Sequence, residues 1–277
     1  MENGKISVIM GIYNCADTLP QAIDSILTQT YSHWELILCD DCSTDNTYSV
    51  AEIYQKKYPE RIRLIQNSAN SKLSYTLNHC LQYADGEYVA RMDGDDYCAP
   101  ERFEKQVAFL QKHLDVDLVG CAMQRFNDEG LADVDYQVEH PTANTLRKRT
   151  PFHHATILTY KRVYDALGGY TVSERTVRGQ DYDLWFRFFH AGFHGENLME
   201  PLYYVREDMA AIKRRTFHVR WNAFRTTVYG YRLLGFPTWW LIRPFFSTVF
   251  KSLVPYRCIG WYRNRQKRAN NEREKSA

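Results

Sequence analysis

The stretch "ISVIMGIYNCADTLPQAIDSILTQTYSHWELILCDD", residues 6–41, decides the fold class. It opens with a largely β-branched run from Ile6 to Met10, which is typical of a buried strand. Apolar side chains then recur with the period of a helix, at Leu19, Ala22, Ile23, Ile26 and Leu27. A second strand-like run follows at residues 34–39. This order of strand, helix and strand predicts a right-handed parallel crossover.

The same alternation continues to residue 92. We expect a helix at residues 47–58, a strand at 61–65, a helical face at 73–84 and a strand at 87–92. The pattern predicts an α/β fold with a doubly wound, mostly parallel central sheet and helices on both faces. Such sheets bind ligands beyond the carboxyl ends of their strands, so the acidic turns after the second and fourth strands are the first candidates for a site.

Charge is distributed unevenly along the 277-residue chain. Its net charge is +2, but residues 205–277 hold 16 Lys and Arg against 4 Asp and Glu. The first 204 residues hold the other 19 Lys and Arg and 29 Asp and Glu. An acidic body with a basic tail predicts that the tail binds an anionic membrane surface. Nucleic acid is a poor alternative, because no recognised binding motif accompanies the charge.

The apolar residues of the tail favour helices at a membrane interface. A heptad-like stripe consists of Trp221, Phe224, Val228 and Tyr231. The following run "PTWWLIRPFFSTVFKSLVP", residues 237–255, is interrupted by Arg243, Pro244 and Lys251, so it is not a membrane span of about 20 apolar residues. Trp239 and Trp240 suit the depth of the lipid headgroups. The alternative is a helical subdomain that packs on the body.

The cysteines favour a reducing compartment. There are seven, scattered along the chain, and the first residues show no signal-peptide pattern, so we expect a cytoplasmic protein. Cys39 and Cys42 have C-x-x-C spacing, but a structural zinc site needs a second ligand pair and a thioredoxin-type motif opens a helix. We therefore interpret both as packing residues.

The aspartates of the same stretch are the stronger candidates. Asp41 directly follows the second strand, where its carboxylate can accept the ring N–H of a pyrimidine or a ribose hydroxyl. The alternative role is to cap the next helix, which Asp45 or Ser43 fits better by position.

Asp93-Gly94-Asp95 follows the fourth strand. Two carboxylates one residue apart are hard oxygen ligands that can hold Mn²⁺ or Mg²⁺ together with diphosphate oxygens. The rival interpretation is a calcium-binding loop. It is excluded because Tyr97 and Cys98 occupy the positions of an oxygen ligand and the obligatory glycine.

The region from about residue 115 to 204 is less regular and carries two further pairs. His153 and His154 are neighbours, so at most one of them reaches a given site if the segment is extended, and a buried, hydrogen-bonded histidine is an equal alternative. Asp181 and Asp183 lie near a helix start, where acids also interact favourably with the helix dipole.

Four blocks together resemble glycosyltransferase family 2. They are the quoted stretch extended to Thr47, "LNHCLQYADGEYVARMDGDDYCAPERFEKQVAFL", "HATILTYKRVYDALGGY" and "RGQDYDLWFRF". The match covers about residues 5–205 in the family's order and spacing. The chain is most similar to small, non-processive members from bacterial exopolysaccharide and capsule clusters.

The resemblance implies a GT-A fold with a nucleotide-binding half, residues 1–114, an acceptor half, 115–205, and a basic helical tail, 206–277. The implied nucleotide-binding positions are Gly11, Tyr13, Asp41, Lys72 and Asp93. Tyr13 and Asp41 would contact the base and ribose, usually of a UDP-sugar. Asp93 and Asp95 correspond to the ribose and metal aspartates, and Mn²⁺ or Mg²⁺ is the implied cofactor. Gly11 stands where the family often has proline.

In the acceptor half, the resemblance implies that Asp181 is the general base. Gln180 replaces the glutamate that usually precedes this base, and His154 matches the family's histidine. Asp183 is a further acceptor-side candidate. The implied reaction is an inverting transfer to a polyprenyl-diphosphate-linked or oligosaccharide acceptor, by an enzyme bound peripherally to the inner face of the cell membrane. The glutamine of the processive Gln-x-x-Arg-Trp block is missing before Arg220, which favours transfer of one sugar per acceptor.

Two other function classes are less consistent with these residues. A non-catalytic scaffold would not need the acids at positions 41, 93, 95 and 181. A phosphate-receiving signalling domain also clusters acids at strand ends, but it needs about half this length and leaves the Asp181 block unexplained.

Overall fold

The computed structural model of the chain describes residues 2–127, 130–207 and 216–253. The chain divides into two compact units, Met1–Glu207 and Asp208–Ala277. Within the described residues, the first unit contains a central sheet with its helices, and the second contains helices only.

The implied nucleotide-binding half, residues 1–114 of the first unit, begins with alternating strands and helices. In chain order they are β1 Glu2–Ile12, α1 Leu19–Leu27, β2 Trp34–Asp40, α2 Thr47–Lys57, β3 Ile62–Gln66, α3 Lys72–Leu81 and β4 Gly86–Arg91. The four strands are parallel and lie in the order β3-β2-β1-β4. The predicted α/β fold class and the four predicted strands are confirmed.

Helix α1 shows why this stretch decides the fold. Pro20 lies in its first turn, where its missing N–H costs no hydrogen bond. Its apolar face is buried through Leu19, Ala22, Ile23 and Ile26. Full burial of a Leu or Ile side chain is worth about 1.5–3 kcal/mol, so packing of this face stabilises the helix far more than its intrinsic propensity does.

The acceptor half extends the same sheet. The nucleotide-binding half also contains β5 Tyr97–Cys98 and α4 Arg102–Lys112, and the elements of the acceptor half are β6 Leu118–Asn127, β7 Gly130–Asp135, β8 Leu158–Tyr160, α5 Lys161–Leu167, α6 Gln180–His190 and β9 Gly195–Arg206. Strand β8 is antiparallel to both β4 and β6, and β9 is parallel to β6. The carboxyl ends of β1–β4, β6 and β9 therefore meet at one edge of the sheet, which we call the ligand edge.

The second unit contains α7 Phe217–Leu233, a 3₁₀ turn Thr238–Leu241 and α8 Ile242–Leu253. The Thr216 hydroxyl accepts the Val219 N–H at 3.4 Å and caps α7. The Phe224 and Phe245 rings, 5.6 Å apart, join the two helices. No helix within residues 216–253, or elsewhere in the described chain, is long and apolar enough to cross a membrane.

Candidate active site

The loops that follow β1 and β2 are hydrogen-bonded to each other at the ligand edge. The Asn14 N–H donates to Ser43 Oγ at 3.1 Å, and the Thr44 N–H donates to Asn14 Oδ1 at 2.8 Å. The Cys15 N–H donates to Thr47 Oγ1 at 2.8 Å. Polar side chains on each loop thus fix the path of the other, and the two loops form one rigid wall of the edge.

Backbone strain is concentrated at the same edge. Among the described residues, three non-glycine residues have positive φ: Asn14 at 48°, Cys42 at 59° and Lys72 at 70°. They follow β1, follow β2 and begin α3. A left-handed backbone costs a non-glycine residue free energy, and such residues cluster at functional sites because their surroundings hold them there.

Asp41 holds the start of α3 against the end of β2. Its Oδ1 accepts the Ser71 N–H at 2.7 Å and Asn67 Nδ2 at 2.8 Å, and its Oδ2 accepts the Lys72 N–H at 2.9 Å. Its side chain is buried, with the residue 5% exposed. The sequence did not reveal this contact with α3, because the partner lies 30 residues further along the chain.

Three other implied nucleotide-binding residues lie at the end of β1 or at the start of α3. Tyr13 is 48% exposed, as a ring that stacks on a ligand would be. Lys72 is exposed, and its Nζ donates to Asn70 Oδ1 at 2.6 Å. At Gly11, an added Cβ would lie 3.1 Å from Thr76 Cγ2, so glycine permits the close approach of α3 to β1. This contact explains a small residue at a position where the family often has proline.

Three aspartates form an acidic cluster after β4. One carboxylate oxygen from each of Asp93, Asp95 and Asp96 lies within 4.8 Å of the others. At Gly94, an added Cβ would lie 3.0 Å from Cys15 Sγ, and the Gly94 carbonyl accepts the Thr18 hydroxyl at 3.0 Å. The glycine therefore lets the acidic cluster pack directly against the loop after β1.

Each aspartate of the acidic cluster has a different environment. Asp93 accepts two hydrogen bonds from the guanidinium of Arg91, which is buried. Asp96 is also buried and accepts the Tyr203 hydroxyl and the Arg206 N–H, each at 2.9 Å. Asp95 is exposed, and desolvation together with the Asp93 carboxylate raises its pKa. Asp95 is thus the member most open to an incoming ligand.

Asp181 and Gln180 begin α6. The preceding Gly179 has φ 110°, a conformation that favours glycine, and its N–H donates to Gln180 Oε1 at 3.1 Å. Asp181 is half-buried, and burial raises its pKa, although the Tyr182 N–H and the Arg91 guanidinium offset part of that effect. A carboxylate with a raised pKa is a stronger base than an exposed aspartate.

Asp183 is placed differently from Asp181, although only one residue separates them. It is 0% exposed. Its carboxylate pairs with Arg175 Nη1 at 2.6 Å and Arg187 Nε at 2.8 Å, and it accepts the Thr171 hydroxyl at 2.6 Å. Burial alone would raise its pKa, but these three donors outweigh burial and lower it. Asp183 is therefore part of a buried ion-pair network that stabilises the fold, and its carboxylate is not accessible to an acceptor.

The neighbouring histidines have separate hydrogen-bond partners. His154 Nε2 lies 2.8 Å from the Tyr170 hydroxyl, which lies 2.7 Å from the Tyr164 hydroxyl. His153 Nε2 lies 3.1 Å from the Asp135 carbonyl. Burial and the Arg91 charge hold the pKa of His154 well below its ordinary value, so its ring is neutral. Neither histidine belongs to the group of potential metal ligands among the described residues.

The comparison with known families agrees with this arrangement. Residues 7–167 match the model described as Glycosyl transferase family 2. The chain belongs to glycosyltransferase family 2. The match spans β1 to α5 and so includes the loops after β1 and β2, the acidic cluster and His154.

Relatives of this family extend over most of the chain. The putative glycosyltransferase EpsE of Bacillus subtilis is 52% identical over 213 residues, 77% of this chain and 77% of EpsE. WfaP of Escherichia coli, a UDP-Glc:alpha-D-GlcNAc-diphosphoundecaprenol beta-1,3-glucosyltransferase, is 37% identical over 202 residues, 72% of this chain and 77% of WfaP.

A solved glycosyltransferase shares the fold. The mannosyltransferase PcManGT from Pyrobaculum calidifontis, in complex with GDP-Man and Mn²⁺, superposes with a TM-score of 0.60 at 18% identity, over 94% of this chain and 79% of that chain. At this identity the likeness shows the shared fold alone. It confirms the GT-A fold implied by the resemblance.

The acidic cluster fits the divalent metal that is typical of this fold. Three carboxylates supply hard oxygen ligands, which Mg²⁺ and Mn²⁺ prefer. Among the three carboxylates, Arg91 forms an ion pair with Asp93. Asp95 would be the principal protein ligand, and the free lone pairs of Asp93 would be the second, because Asp96 is tied to Tyr203 and Arg206.

Three residues of this candidate site were not predicted from the sequence: Arg91, Asp96 and Tyr203. Asp96 is the third acid of the run Asp93 to Asp96, so composition could have indicated it. Arg91 is a charged residue at the end of β4, directly after the apolar run Tyr88 to Ala90, which is also a signal, since burying a charge is costly without a partner. Tyr203 carries no signal, because only the fold brings β9 beside this loop.

Proposed function

We propose that this glycosyltransferase moves a sugar from a UDP-sugar to a hydroxyl of a lipid-linked acceptor, with inversion at the anomeric carbon, in bacterial surface polysaccharide synthesis. One observation carries the proposal. The buried Arg91 guanidinium binds Asp93 of the acidic cluster and also affects the pKa values of Asp181 and His154. The nucleotide-side acids and the base candidate therefore share one electrostatic neighbourhood.

The donor side is supported by the loops after β1 and β2. Asp41 is held by backbone N–H groups, and Tyr13 is exposed on the loop after β1, which is hydrogen-bonded to the loop after β2. An oriented carboxylate suits the ring N–H of uracil, whose partner must be an acceptor. The UDP-Glc donor printed in the name of the relative WfaP agrees with a UDP-sugar.

The diphosphate requires charge compensation at the acidic cluster. Asp93 and Asp95 would hold Mn²⁺ or Mg²⁺, which supplies Lewis-acid stabilisation of the leaving diphosphate. The exposed Asp95 carboxylate and the Arg91-bound Asp93 carboxylate would repel a diphosphate if no cation lay between them.

Asp181 supplies the base. Its carboxylate takes the proton of the acceptor hydroxyl while the hydroxyl oxygen bonds to the anomeric carbon from the side opposite the diphosphate. The bond from that carbon to the diphosphate oxygen breaks, and its electron pair leaves with UDP. One displacement inverts the centre, so an α-linked donor gives a β-linked product.

Calorimetry and a transfer assay test this function together. A panel of nucleotide sugars is titrated with Mn²⁺ or with chelator, and transfer to a diphosphate-linked acceptor is followed by mass spectrometry. We expect binding of a UDP-sugar only with the metal and transfer of a single sugar. Binding without transfer to any acceptor would favour the scaffold alternative, and equal binding in chelator would remove the metal from the donor site.

We further propose that the second unit binds the anionic inner surface of the membrane, where a polyprenyl-diphosphate acceptor would be anchored. Four large side chains, spaced three or four residues apart, are exposed by 57–69%: Trp239, Ile242, Phe246 and Phe250. We call these four residues the apolar stripe. Residues 205–277 also have 12 more basic than acidic residues. Each Lys or Arg near an anionic membrane surface contributes about 1 kcal/mol to the free energy of binding.

Vesicle sedimentation tests the apolar stripe. The full chain should pellet with anionic vesicles, less so as salt rises, and not with neutral ones. Replacing Trp239, Phe246 and Phe250 by Gln should abolish pelleting. In the control, three exposed apolar residues of the first unit, Ile53, Leu114 and Val172, are each replaced by Gln. This variant should pellet like wild type. Equal loss in both triple variants, or no pelleting of the wild type, would contradict the proposal.

A further inference from the structure

Arg102 is a fully buried charge without a carboxylate partner. It begins α4 and is 0% exposed. Among the described residues, no carboxylate oxygen lies within 4.0 Å of a nitrogen of the Arg102 guanidinium. A charge removed from water is unfavourable unless hydrogen bonds compensate it, so the groups around Arg102 must explain why it is there.

Backbone carbonyls take the place of the missing carboxylate. Arg102 Nη2 lies 3.1 Å from the Arg91 carbonyl, 3.2 Å from the Ala155 carbonyl and 3.4 Å from the Ile157 carbonyl. Its Nε donates to Gln106 Oε1 at 3.1 Å. One nitrogen thus contacts two segments that are more than 60 residues apart in sequence.

Both segments carry residues of the active site. The Arg91 carbonyl ends β4, two residues before Asp93, and the Ala155 carbonyl directly follows His154. The guanidinium also lies 5.0 Å from the centre of the Tyr203 ring. The Tyr203 hydroxyl in turn accepts the Asp93 N–H at 3.1 Å and donates to Asp96 at 2.9 Å.

Gln106 extends the same arrangement to β6. It lies one helical turn after Arg102, and its Nε2 donates to the Thr156 carbonyl at 2.8 Å and the Val119 carbonyl at 3.1 Å. Unlike Arg102, Gln106 makes no hydrogen bond to β4 within the described part of the chain. The two side chains therefore share the 154–157 segment, but of the two only Arg102 also bonds to the end of β4, where the Arg91 N–H donates to the Ile157 carbonyl at 3.2 Å as well.

We propose that Arg102 is a positioning residue. It holds the end of β4, which leads into the acidic cluster, in register with the 154–157 segment, which contains His154. Apolar residues of similar volume often replace a buried ionic group without loss of stability, so stability alone does not account for an arginine here. The effect on transfer rests on the proposed function, whereas the effect on the two segments does not.

Hydrogen exchange measures the positioning directly. In Arg102→Lys, one ammonium cannot satisfy all three carbonyls and Gln106 at once. We expect the amides of residues 92–97 and 154–158 to exchange at least about tenfold faster than in wild type, while α1 and α2 keep their rates. In Gln106→Leu, only residues 154–158 should exchange faster. Val107→Ala is the matched control, because Val107 is a buried residue of α4 with an apolar side chain, and both segments should keep their wild-type rates relative to α1 and α2.

The kinetic result separates positioning from folding. Arg102→Lys should lower kcat at least about tenfold per folded molecule with little change in the donor KM, whereas Val107→Ala should lower only the unfolding midpoint. A uniform rise in exchange across the first unit, or wild-type exchange in both segments of Arg102→Lys, would overturn the proposal. If the wild-type chain transfers no sugar, the proposed function fails while the exchange experiment still decides the role of Arg102. Should Arg102→Lys not fold, Arg102→Met decides it, because this apolar side chain has a similar volume but cannot donate to the carbonyls, and wild-type exchange in both segments would then contradict the proposal.

Discussion

The two halves of the first unit hold their candidate residues by different means. In the nucleotide-binding half, Asp41 and Asn14 lie directly after parallel strands and bond to backbone N–H groups of neighbouring loops. In the acceptor half, His154 and Asp183 are buried and bond to side chains. A site held by backbone contacts follows from the topology of the sheet, whereas one held by a buried side-chain network depends on each member. Substitutions should therefore separate the two halves.

The largest effect is expected from Asp181→Asn. The amide keeps the shape of the side chain but cannot take the acceptor proton, so transfer should fall by about 10²- to 10⁴-fold. Donor affinity, measured by calorimetry, should stay within about twofold of wild type, because the donor binds through the nucleotide-binding half. A comparable loss of donor affinity would instead mean that Asp181 contacts the nucleotide sugar, and it would contradict the separation of the two halves.

The same substitution should not cost stability. The pKa of Asp181 is raised in the folded chain, so at neutral pH its charge is less favourable in the folded than in the unfolded state. Asn removes that cost, and urea denaturation at pH 7 should show equal or greater stability of the variant. The difference should disappear as pH falls through the raised pKa, where the wild-type residue becomes neutral.

The next effect concerns the nucleotide-binding half. Asp95→Ala removes the most exposed carboxylate of the acidic cluster and should weaken metal-dependent donor binding by about 10- to 100-fold, or about 1.4–2.8 kcal/mol. The matched control is Asp85→Ala, an exposed acid at the opposite end of β4, which should bind like wild type. Wild-type donor affinity in Asp95→Ala would mean that the cluster does not contact the diphosphate.

Asp183→Asn should affect stability rather than chemistry. Removing one partner of a buried ion pair costs about 3–5 kcal/mol, and Asp183 is paired with both Arg175 and Arg187. Its lowered pKa means that the wild type gains this stability above the unfolded pKa of about 3.9 and loses it as pH falls through the lower folded value. Urea denaturation from pH 7 to pH 2 should show that loss in wild type but not in the variant. A kcat per folded molecule more than tenfold below wild type would instead make Asp183 part of the chemistry.

The sequence predicted the nucleotide-binding half in detail for a physical reason. Buried parallel strands and amphipathic helices have different periods, so β1 to β4 could be located from residue spacing. Because all carboxyl ends of parallel strands meet at one edge, the candidate residues after them could be named before any coordinates were known. The helix-capping role of Asp41 escaped prediction, since it depends on where α3 begins in space.

Apart from the helix that begins near Asp181, the acceptor half could be predicted only through resemblance. Strand β8 has three residues and lies between β4 and β6, an order that no local pattern encodes. The different environments of Asp181 and Asp183 likewise cannot be read from the sequence. The arginines that pair with Asp183 lie one helical turn further along α6 and in a separate 3₁₀ turn. Nothing in the local sequence distinguishes Arg102 from an exposed charged residue of an amphipathic helix.

The smallest effect, and the finest test of the comparison, is expected from His154→Gln. His154 is neutral, because burial and the Arg91 charge hold its pKa well below the ordinary value, so it should not titrate in the range where the enzyme is assayed. The amide of glutamine can keep a hydrogen bond to Tyr170, and kcat should fall by less than about tenfold. The loss of kcat/KM on the acid side should persist in the variant at the same pH, since it reports protonation of Asp181, whose raised pKa moves that loss to higher pH than an exposed aspartate would give. A pH–rate profile of wild type and variant measures this directly. If the acid limb disappears in His154→Gln, the histidine is the titrating base, and the acceptor half uses its buried network for proton transfer rather than for positioning.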